Sequence, residues 1–392
     1  MDQVILEADW AAREDLAGLV MVLGAENLRW VGGAVRDSLL GAEVHDIDAA
    51  TTLHPEAVMA ALKEAGIKVI PTGIDHGTVT AVLPGGNVEI TTLRKDVATD
   101  GRRATVTFAE DWAEDAARRD FTINALYAHP LSLEISDYFE GLSDLDARQV
   151  RFIGDAHERI AEDHLRILRY YRFQARFGAM LDGEAEEACA DMAATLKGLS
   201  RERVAGELLA LLALPEPLAT VERMFARGVL PVVLPEVTSA GMAQLAALIA
   251  FETLQSAKPA PLRRLAAMLP AEPKLAEQVA ARLRLSTAQK KALSRMAKRG
   301  GEDADPRALA YREGPAMARD LLLLAGRDAE ALDDWDVPVF PLKGGQIVAR
   351  GVGAGPEVAR ILQAVEARWI AENFPPEDRV SALLDEELRQ RA

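Results

Sequence analysis

The sequence predicts an α+β chain, a mixed α/β head followed by all-α segments, and three observations carry that expectation. β-rich runs and turn dipeptides are confined to the first 145 or so of the 392 residues. Beyond them, apolar residues recur three or four positions apart, the spacing of helices that bury one face. The composition is 49% hydrophobic, 27% charged and only 5% aromatic, which suits folded units with real cores and excludes disordered, collagen-like and coiled-coil chains.

Taken in order, residues 33–40 read as a short helix stopped at Gly41, and residues 44–48 as a strand. Residues 76–83 and 88–94 are β-rich runs around Pro84-Gly85-Gly86-Asn87, a strong hairpin signal. The polar stretch between Arg94 and Phe108 reads as a mobile loop. Helical segments follow, punctuated at Gly198, Pro215-Glu216-Pro217, Pro235, Pro259 and Gly300-Gly301. The expected division is 1–145, 146–215, 216–300 and 301–392.

One cysteine, Cys189, excludes an internal disulfide and a cysteine-rich metal site, and points to a reducing, cytoplasmic setting. No 18-residue apolar run and no basic–apolar leader is present, so neither export nor a membrane span is expected. The net charge of −16 and pI near 5.0 exclude nucleic-acid binding by bulk charge. A polyanion partner therefore requires a local basic patch. Residues 258–299 offer one, with eleven Lys and Arg against only Glu272 and Glu277; Arg263, Arg264, Lys290, Lys291 and Arg295 are the candidate RNA contacts.

The candidate chemistry begins at Asp46-Ile47-Asp48. In a strand, residues two apart share a face, so the carboxylates converge and repel unless a cation lies between them. Mg2+ with phosphate oxygens completing its shell is the simplest answer, although the same tripeptide alone more often describes a solvated strand. Glu89, on the second hairpin strand, is a candidate third metal ligand. Gly32-Gly33, at a helix start about a dozen residues before the acidic pair, lets backbone approach a phosphate closely; neither a Rossmann nor a Walker pattern is present. Arg118-Arg119 suit triphosphate oxygens, and Asp120 suits ribose hydroxyls.

Specificity is written in Glu162-Asp163-His164-Leu165-Arg166. On one helix these three charged side chains would share a face. Asp163 only accepts hydrogen bonds and Arg166 only donates. Cytosine and adenine each present an amino donor beside a ring-nitrogen acceptor, and uracil and guanine present the reverse. Such a pair admits C and A and rejects U and G by leaving buried polar groups unpaired.

In this order the motifs resemble the class II tRNA nucleotidyltransferases, the CCA-adding enzymes, and their relatives the bacterial poly(A) polymerases. The likeness runs through residues 32–37, 46–48, 118–120, 162–166 and Ser200-Arg201-Glu202-Arg203, and extends to residues 340–345 and 351–356, covering nearly the whole chain. It implies a polymerase-β-like nucleotidyltransferase head with helical neck, body and tail. It implies Asp46 and Asp48 as catalytic metal ligands. Gly32, Gly33, Arg36, Arg118, Arg119, Asp120, Asn124, Glu162, Asp163, Arg166 and Arg169 would form the nucleotide-binding set, with Glu162 bracing the arginine. It further implies a hinge near residues 144–151, a flexible element at residues 94–108, Mg2+ as cofactor, and tRNA, CTP and ATP as partners. Stepwise addition of C, C and A with release of pyrophosphate is the expected reaction; poly(A) synthesis, A-only addition and a silent RNA-binding protein are the alternatives. No nucleophilic side chain is required, so His45, His76, His129 and Cys189 are expected to be structural.

Overall fold

Alternation of apolar and polar residues over the first 140 positions builds one mixed sheet. Its strands and those of a small ribbon are β1 (Leu28–Val31), β2 (Ile47–Thr51), β3 (Lys68–Gly73), β4 (Thr78–Leu83), β5 (Gly86–Thr92), β6 (Arg94–Thr99), β7 (Ala104–Phe108), β8 (Leu126–Ala128) and β9 (Ile135–Asp137). The computed structural model describes residues 4–99, 104–109, 111–300 and 305–391. Seven strands lie in the order β3-β4-β5-β2-β1-β8-β9, with β6 and β7 paired separately. Neighbours in the large sheet are antiparallel except β2 and β5, which run parallel and set Asp48 level with Glu89. On β5, Val88, Ile90 and Thr92 are buried while Glu89 is exposed, the period-two pattern of a strand with one covered face.

The expected hairpin forms, Leu83 opposite Gly86. The expected strand at residues 44–48 begins three residues late, at Ile47, and runs through Ala49 and Ala50. Alanine carries little strand signal, and these two are chosen for close packing in a buried central strand. The segment expected as a mobile loop is instead the β6–β7 ribbon, with Arg94 opposite Phe108. Charged residues masked a pairing that cross-strand register, not hydrophobicity, specifies; residues 100–103 lie outside the described residues.

Helices in the same part are α1 (Glu14–Leu23), α2 (Gly33–Leu39), α3 (Pro55–Glu64), α4 (Trp112–Ala117) and α5 (Gly141–Asp146). They are followed by α6 (Ala156–Glu162), α7 (Arg166–Phe177), α8 (Gly183–Asp191), α9 (Arg201–Leu212), α10 (Leu218–Ala226) and α11 (Val229–Val233). All belong to one compact unit, Met1–Pro235. Helix α7 buries Ile167, Leu168, Tyr170, Tyr171, Phe173, Gln174 and Phe177, which leaves Arg166, Arg169, Arg172 and Arg176 on a second stripe. Phe121, just after Asp120, packs on Phe152, Tyr170 and Phe173 and so fixes α7 against the sheet domain.

The second unit, Glu236–Ala392, is helical throughout: α12 (Ser239–Leu254), α13 (Pro261–Met268), α14 (Pro273–Arg282), α15 (Thr287–Ala297), α16 (Pro306–Glu313), α17 (Pro315–Leu324), α18 (Gly344–Val348), α19 (Pro356–Ala371) and α20 (Glu377–Arg391). Ser286 and Gln289 close a capping box at the start of α15. Ile361, Val365 and Trp369 of α19 pack on Leu383 and Leu384 of α20.

The basic stretch at residues 258–299 is not the exposed patch that charge counting predicts. Arg263 and Arg264 are buried, and both donate to the equally buried Glu252; Arg263 also reaches Asp320. Arg282 pairs with Glu236 and Arg295 with Glu313. All four acids lie outside the window in sequence, so four of its eleven basic side chains, Arg263, Arg264, Arg282 and Arg295, are engaged by tertiary partners. Lys290 and Lys291 carry no ion pair among the described residues, and Lys291 is exposed.

Candidate active site

The turn from β1 into α2 supplies the first element. Gly32 has φ +71, and a side chain there would project into the space between Asp48 and Arg119, its Cβ 3.8 Å from Asp48 Oδ2 and 3.9 Å from Arg119 Nη1. A bare backbone is thus held open between a carboxylate and a guanidinium, as close approach to a phosphate requires. Arg36, by contrast, is buried: it donates to Asp37 and to Asn124 Oδ1 (2.5 Å) and lies over Phe173 and Phe177. It joins α2 to α7 and also lines the cavity described below.

Asp48 stands on β2 beside Glu89, and burial together with Glu89 and Asp46 pushes its carboxyl up to about 6, against the opposing pull of Arg119. That is the electrostatic mark of a carboxylate short of positive charge, and a hard divalent cation supplies it. Asp46 is exposed and precedes β2 rather than sitting in its pleat. Among the described residues no three carboxylates close into a cage, so Glu89 does not complete a three-ligand cluster with the pair. Two carboxylates suffice where water and triphosphate oxygens fill the remaining positions of an octahedral ion.

Helix α4 and the turn after it place Arg118 and Arg119. Asp115, three and four residues earlier, takes Arg118 Nε on one oxygen (2.7 Å) and Arg119 Nη2 on the other (3.0 Å); burial works against ionisation, and the two guanidiniums outweigh it. Asp120 is buried, and its carboxylate accepts from the Phe121 amide, Asn124 Nδ2 and Arg169 Nε. Burial raises its pKa, yet Arg169, Asn124 and Arg166 bring it down to about 2. With its lone pairs so engaged, Asp120 orients Arg169 and Asn124 at the edge of the cavity that it helps to line.

The segment expected to read the base is not one helix. Helix α6 ends at Glu162, Asp163 turns extended (φ −146, ψ 103) and accepts the Leu165 amide at 3.1 Å, and α7 starts afresh at Arg166. This local side-chain-to-backbone bond competes with helix continuation, which periodicity alone does not reveal. Glu162 still braces Arg166, Oε2 to Nη1 at 2.5 Å, but Asp163 swings to Arg203 Nη2, also at 2.5 Å. Arg166 further donates to the carbonyls of Arg159 and Arg118, both at 2.8 Å. By donor inventory, Arg166 keeps Nε–H and one Nη2 hydrogen, and each Asp163 oxygen keeps a lone pair.

One cavity of about 770 Å3 is lined by Gly32, Gly33, Asp46, Asp48, Arg118, Arg119, Asp163, Arg166 and Arg169. Arg36, Asp120 and Asn124 line it too, so that of the expected nucleotide-binding residues only Glu162 does not, and Arg172 and Arg176, which the sequence reading did not select, do. Asp115 and Tyr127 were also missed. The spacing of Asp115 to Arg118 and Arg119, three and four, was a usable signal; the Asp37–Arg176 pair, 139 positions apart, had none. Cys189 is fully buried, and its thiol is pushed well up by burial, as an inert core residue would be.

A glycine cradle, an acidic pair at the start of a central strand and paired arginines define a nucleotidyltransferase. Residues 28–151 match the poly A polymerase head domain, and residues 178–240 the probable RNA and SrmB-binding site of polymerase A. The mouse CCA tRNA nucleotidyltransferase 1, mitochondrial, is 35% identical over 382 residues, covering 91% of this chain and 86% of that protein. The CCA-adding enzyme of Oceanobacillus iheyensis is 45% identical over 184 residues, 46% of this chain and 45% of that one. The crystal structure of the Bacillus stearothermophilus CCA-adding enzyme in complex with CTP superposes with a TM-score of 0.77 at 27% identity, covering 96% of this chain and 98% of that one. The chain belongs to the CCA tRNA nucleotidyltransferase family. Enzymes of this family depend on a divalent metal. No helix among the described residues is long and apolar enough to cross a membrane.

Proposed function

We propose that this protein adds C, C and A in turn to the 3′ end of tRNA, taking CTP and ATP and releasing pyrophosphate. One observation carries the reading: an acceptor-only carboxylate, Asp163, and a donor-only guanidinium, Arg166, line the same cavity as the Gly32 cradle and the Asp46–Asp48 pair. Asp163 accepts the amino group common to C and A, and Arg166 donates to the ring nitrogen beside it. Arg118 and Arg119, held by Asp115, face the triphosphate from the head side. Arg169, oriented by Asp120, closes the cavity from α7.

The RNA 3′-hydroxyl attacks the α-phosphate in line, and pyrophosphate departs against the arginines. A divalent cation, which we take to be Mg2+, would be held by Asp46 and Asp48 and, when bound, supplies activation of the hydroxyl and neutralisation of the triphosphate. Lys290 and Lys291 are the tRNA contacts retained from the basic stretch. The buried single thiol suits a reducing compartment, and the cytoplasm and the mitochondrial matrix both meet that condition.

The test is incubation of a tRNA lacking its 3′ CCA with CTP and ATP, separately and together. Addition that halts at CC with CTP alone, and finishes with A when both are present, is expected. Long A tracts on a generic RNA with ATP alone would make it a poly(A) polymerase instead, and A added only to tRNA already ending in CC would make it an A-adding enzyme.

A further inference from the structure

Asp115 carries four hydrogen bonds beside the cavity, yet it does not line it. It is 1% exposed. Its Oδ1 accepts the Arg94 amide (3.1 Å) and Arg118 Nε (2.7 Å); its Oδ2 accepts Arg119 Nη2 (3.0 Å) and the Tyr127 hydroxyl (2.7 Å). Four donors fill the four lone pairs of a carboxylate. The Tyr127 hydroxyl in turn accepts from Arg119 Nε at 2.8 Å, so the Nε–Nη2 edge of Arg119 is gripped by two partners and its guanidinium lies over the Tyr127 ring.

Three parts of the site meet at this carboxylate. Arg119 faces Asp48 across Gly32. Arg118 offers its carbonyl to Arg166 Nη2, so the segment that Asp115 holds also holds the base-reading guanidinium. The Arg94 amide opens β6, the first strand of the ribbon.

We propose that Asp115 is a positioning residue for the nucleotide site, one that acts on phosphate through Arg118 and Arg119 and on base choice through the Arg118 carbonyl. This rests on the nucleotide reading of the cavity. Loss of the Asp115 charge leaves two neighbouring guanidiniums to repel each other without an anchor, and Arg119 then turns towards the unneutralised carboxyl of Asp48. Both phosphate affinity and base selectivity decline together, because one carboxylate serves both.

The experiment is calorimetric binding of CTP, UTP and pyrophosphate, with Mg2+ and no RNA, to the full chain and two variants. Asp115→Asn keeps the shape and removes the charge. Its expected effect is at least a tenfold rise in Kd for CTP and for pyrophosphate, with at least a fivefold fall in the CTP-to-UTP preference and unchanged stoichiometry. A merely structural role lowers the fraction of competent protein, read as stoichiometry, and leaves the Kd values and their ratio at wild type; that result overturns the proposal. Tyr127→Phe removes one hydroxyl and keeps the charge, and about a threefold shift in the same direction is expected. Should Asp115→Asn fail to fold, a Tyr127→Phe protein with wild-type Kd values overturns the proposal by itself. Failure of the wild-type chain to bind CTP sinks the nucleotide reading, and the role of Asp115 with it, whereas wild-type binding with unshifted variants sinks the role alone.

Discussion

Arg166 donates an Nη2 hydrogen to the Arg118 carbonyl at 2.8 Å, so the side chain proposed to read the base is moored to the segment proposed to face the triphosphate. Asp163, its proposed partner in base reading, is moored elsewhere, to Arg203. The two halves of the reader are therefore set independently, and they respond differently to substitution.

Asp163→Asn is the cleaner alteration. Exchanging the polarity at both positions would strip Arg159 and Arg118 of the donor that satisfies their carbonyls, and would set a second carboxylate against Glu162. An amide at 163 offers both a donor and an acceptor, so it no longer leaves a uracil or guanine carbonyl unpaired. Discrimination by unpaired polar groups reaches about 10⁴-fold. The ratio of kcat/KM for CTP to that for UTP should fall at least tenfold in single-nucleotide incorporation. A ratio equal to that of wild type would refute base selection by Asp163.

The carboxyl of Asp48 gives a pH signature in metal-free protein. Burial, Glu89 and Asp46 hold its pKa at about 6, above the ordinary 3.8. Below about pH 4 it is protonated folded and unfolded alike, and has no effect. Between 4 and 6 the unfolded chain releases a proton that the folded chain keeps, so stability drops as pH rises, and the full cost stands above 6. Asp48→Asn, with EDTA present, should be more stable than wild type at pH 8 by roughly 1–3 kcal/mol and equal to it at pH 4. Its nucleotide incorporation should fall by about 10²–10³-fold, the worth of several kcal/mol of charge stabilisation. Equal melting temperatures at both pH values would remove the argument for a charge-deficient carboxylate.

What the sequence disclosed, and what it withheld, divides along contact distance. The Gly32-Gly33 start of α2, the β4–β5 hairpin and the helical second half follow from local rules, and they stand where those rules put them. The motif from Glu162 to Arg166 is also local, yet Asp163 breaks the helix because its side chain captures the Leu165 amide, a choice periodicity does not register. The ribbon at residues 94–108 depends on cross-strand pairing and was hidden by its polarity. The basic stretch was misjudged for the same reason as the Asp37–Arg176 pair was missed: Glu236, Glu252, Glu313, Asp320 and Arg176 meet their partners only in three dimensions.

Lys290 and Lys291 remain the proposed phosphate contacts after that correction. Each lysine that neutralises an RNA phosphate contributes about 0.7–0.9 to the slope of log K against log salt. Lys290→Glu with Lys291→Glu should weaken tRNA binding and flatten that slope by about 1.4–1.8, with CTP affinity unchanged. Filter binding of tRNA at several salt concentrations checks it, and an unaltered slope would clear these lysines of any role.

Arg263 and Arg264 call for the opposite outcome. Both guanidiniums are almost completely buried against Glu252, whose side chain is 2% exposed. Removing one member of a buried ionic cluster leaves charge that nothing compensates, typically at about 3–5 kcal/mol, far more than a surface contact is worth. Arg263→Ala also strips Asp320 of its partner, whose carboxyl burial already pushes up. Urea denaturation should therefore show Arg263→Ala strongly destabilised, while tRNA affinity measured per folded molecule, and its salt slope, stay at wild type. A protein of undiminished stability whose tRNA binding has lost its salt dependence would restore Arg263 to the RNA surface and overturn the buried-cluster assignment.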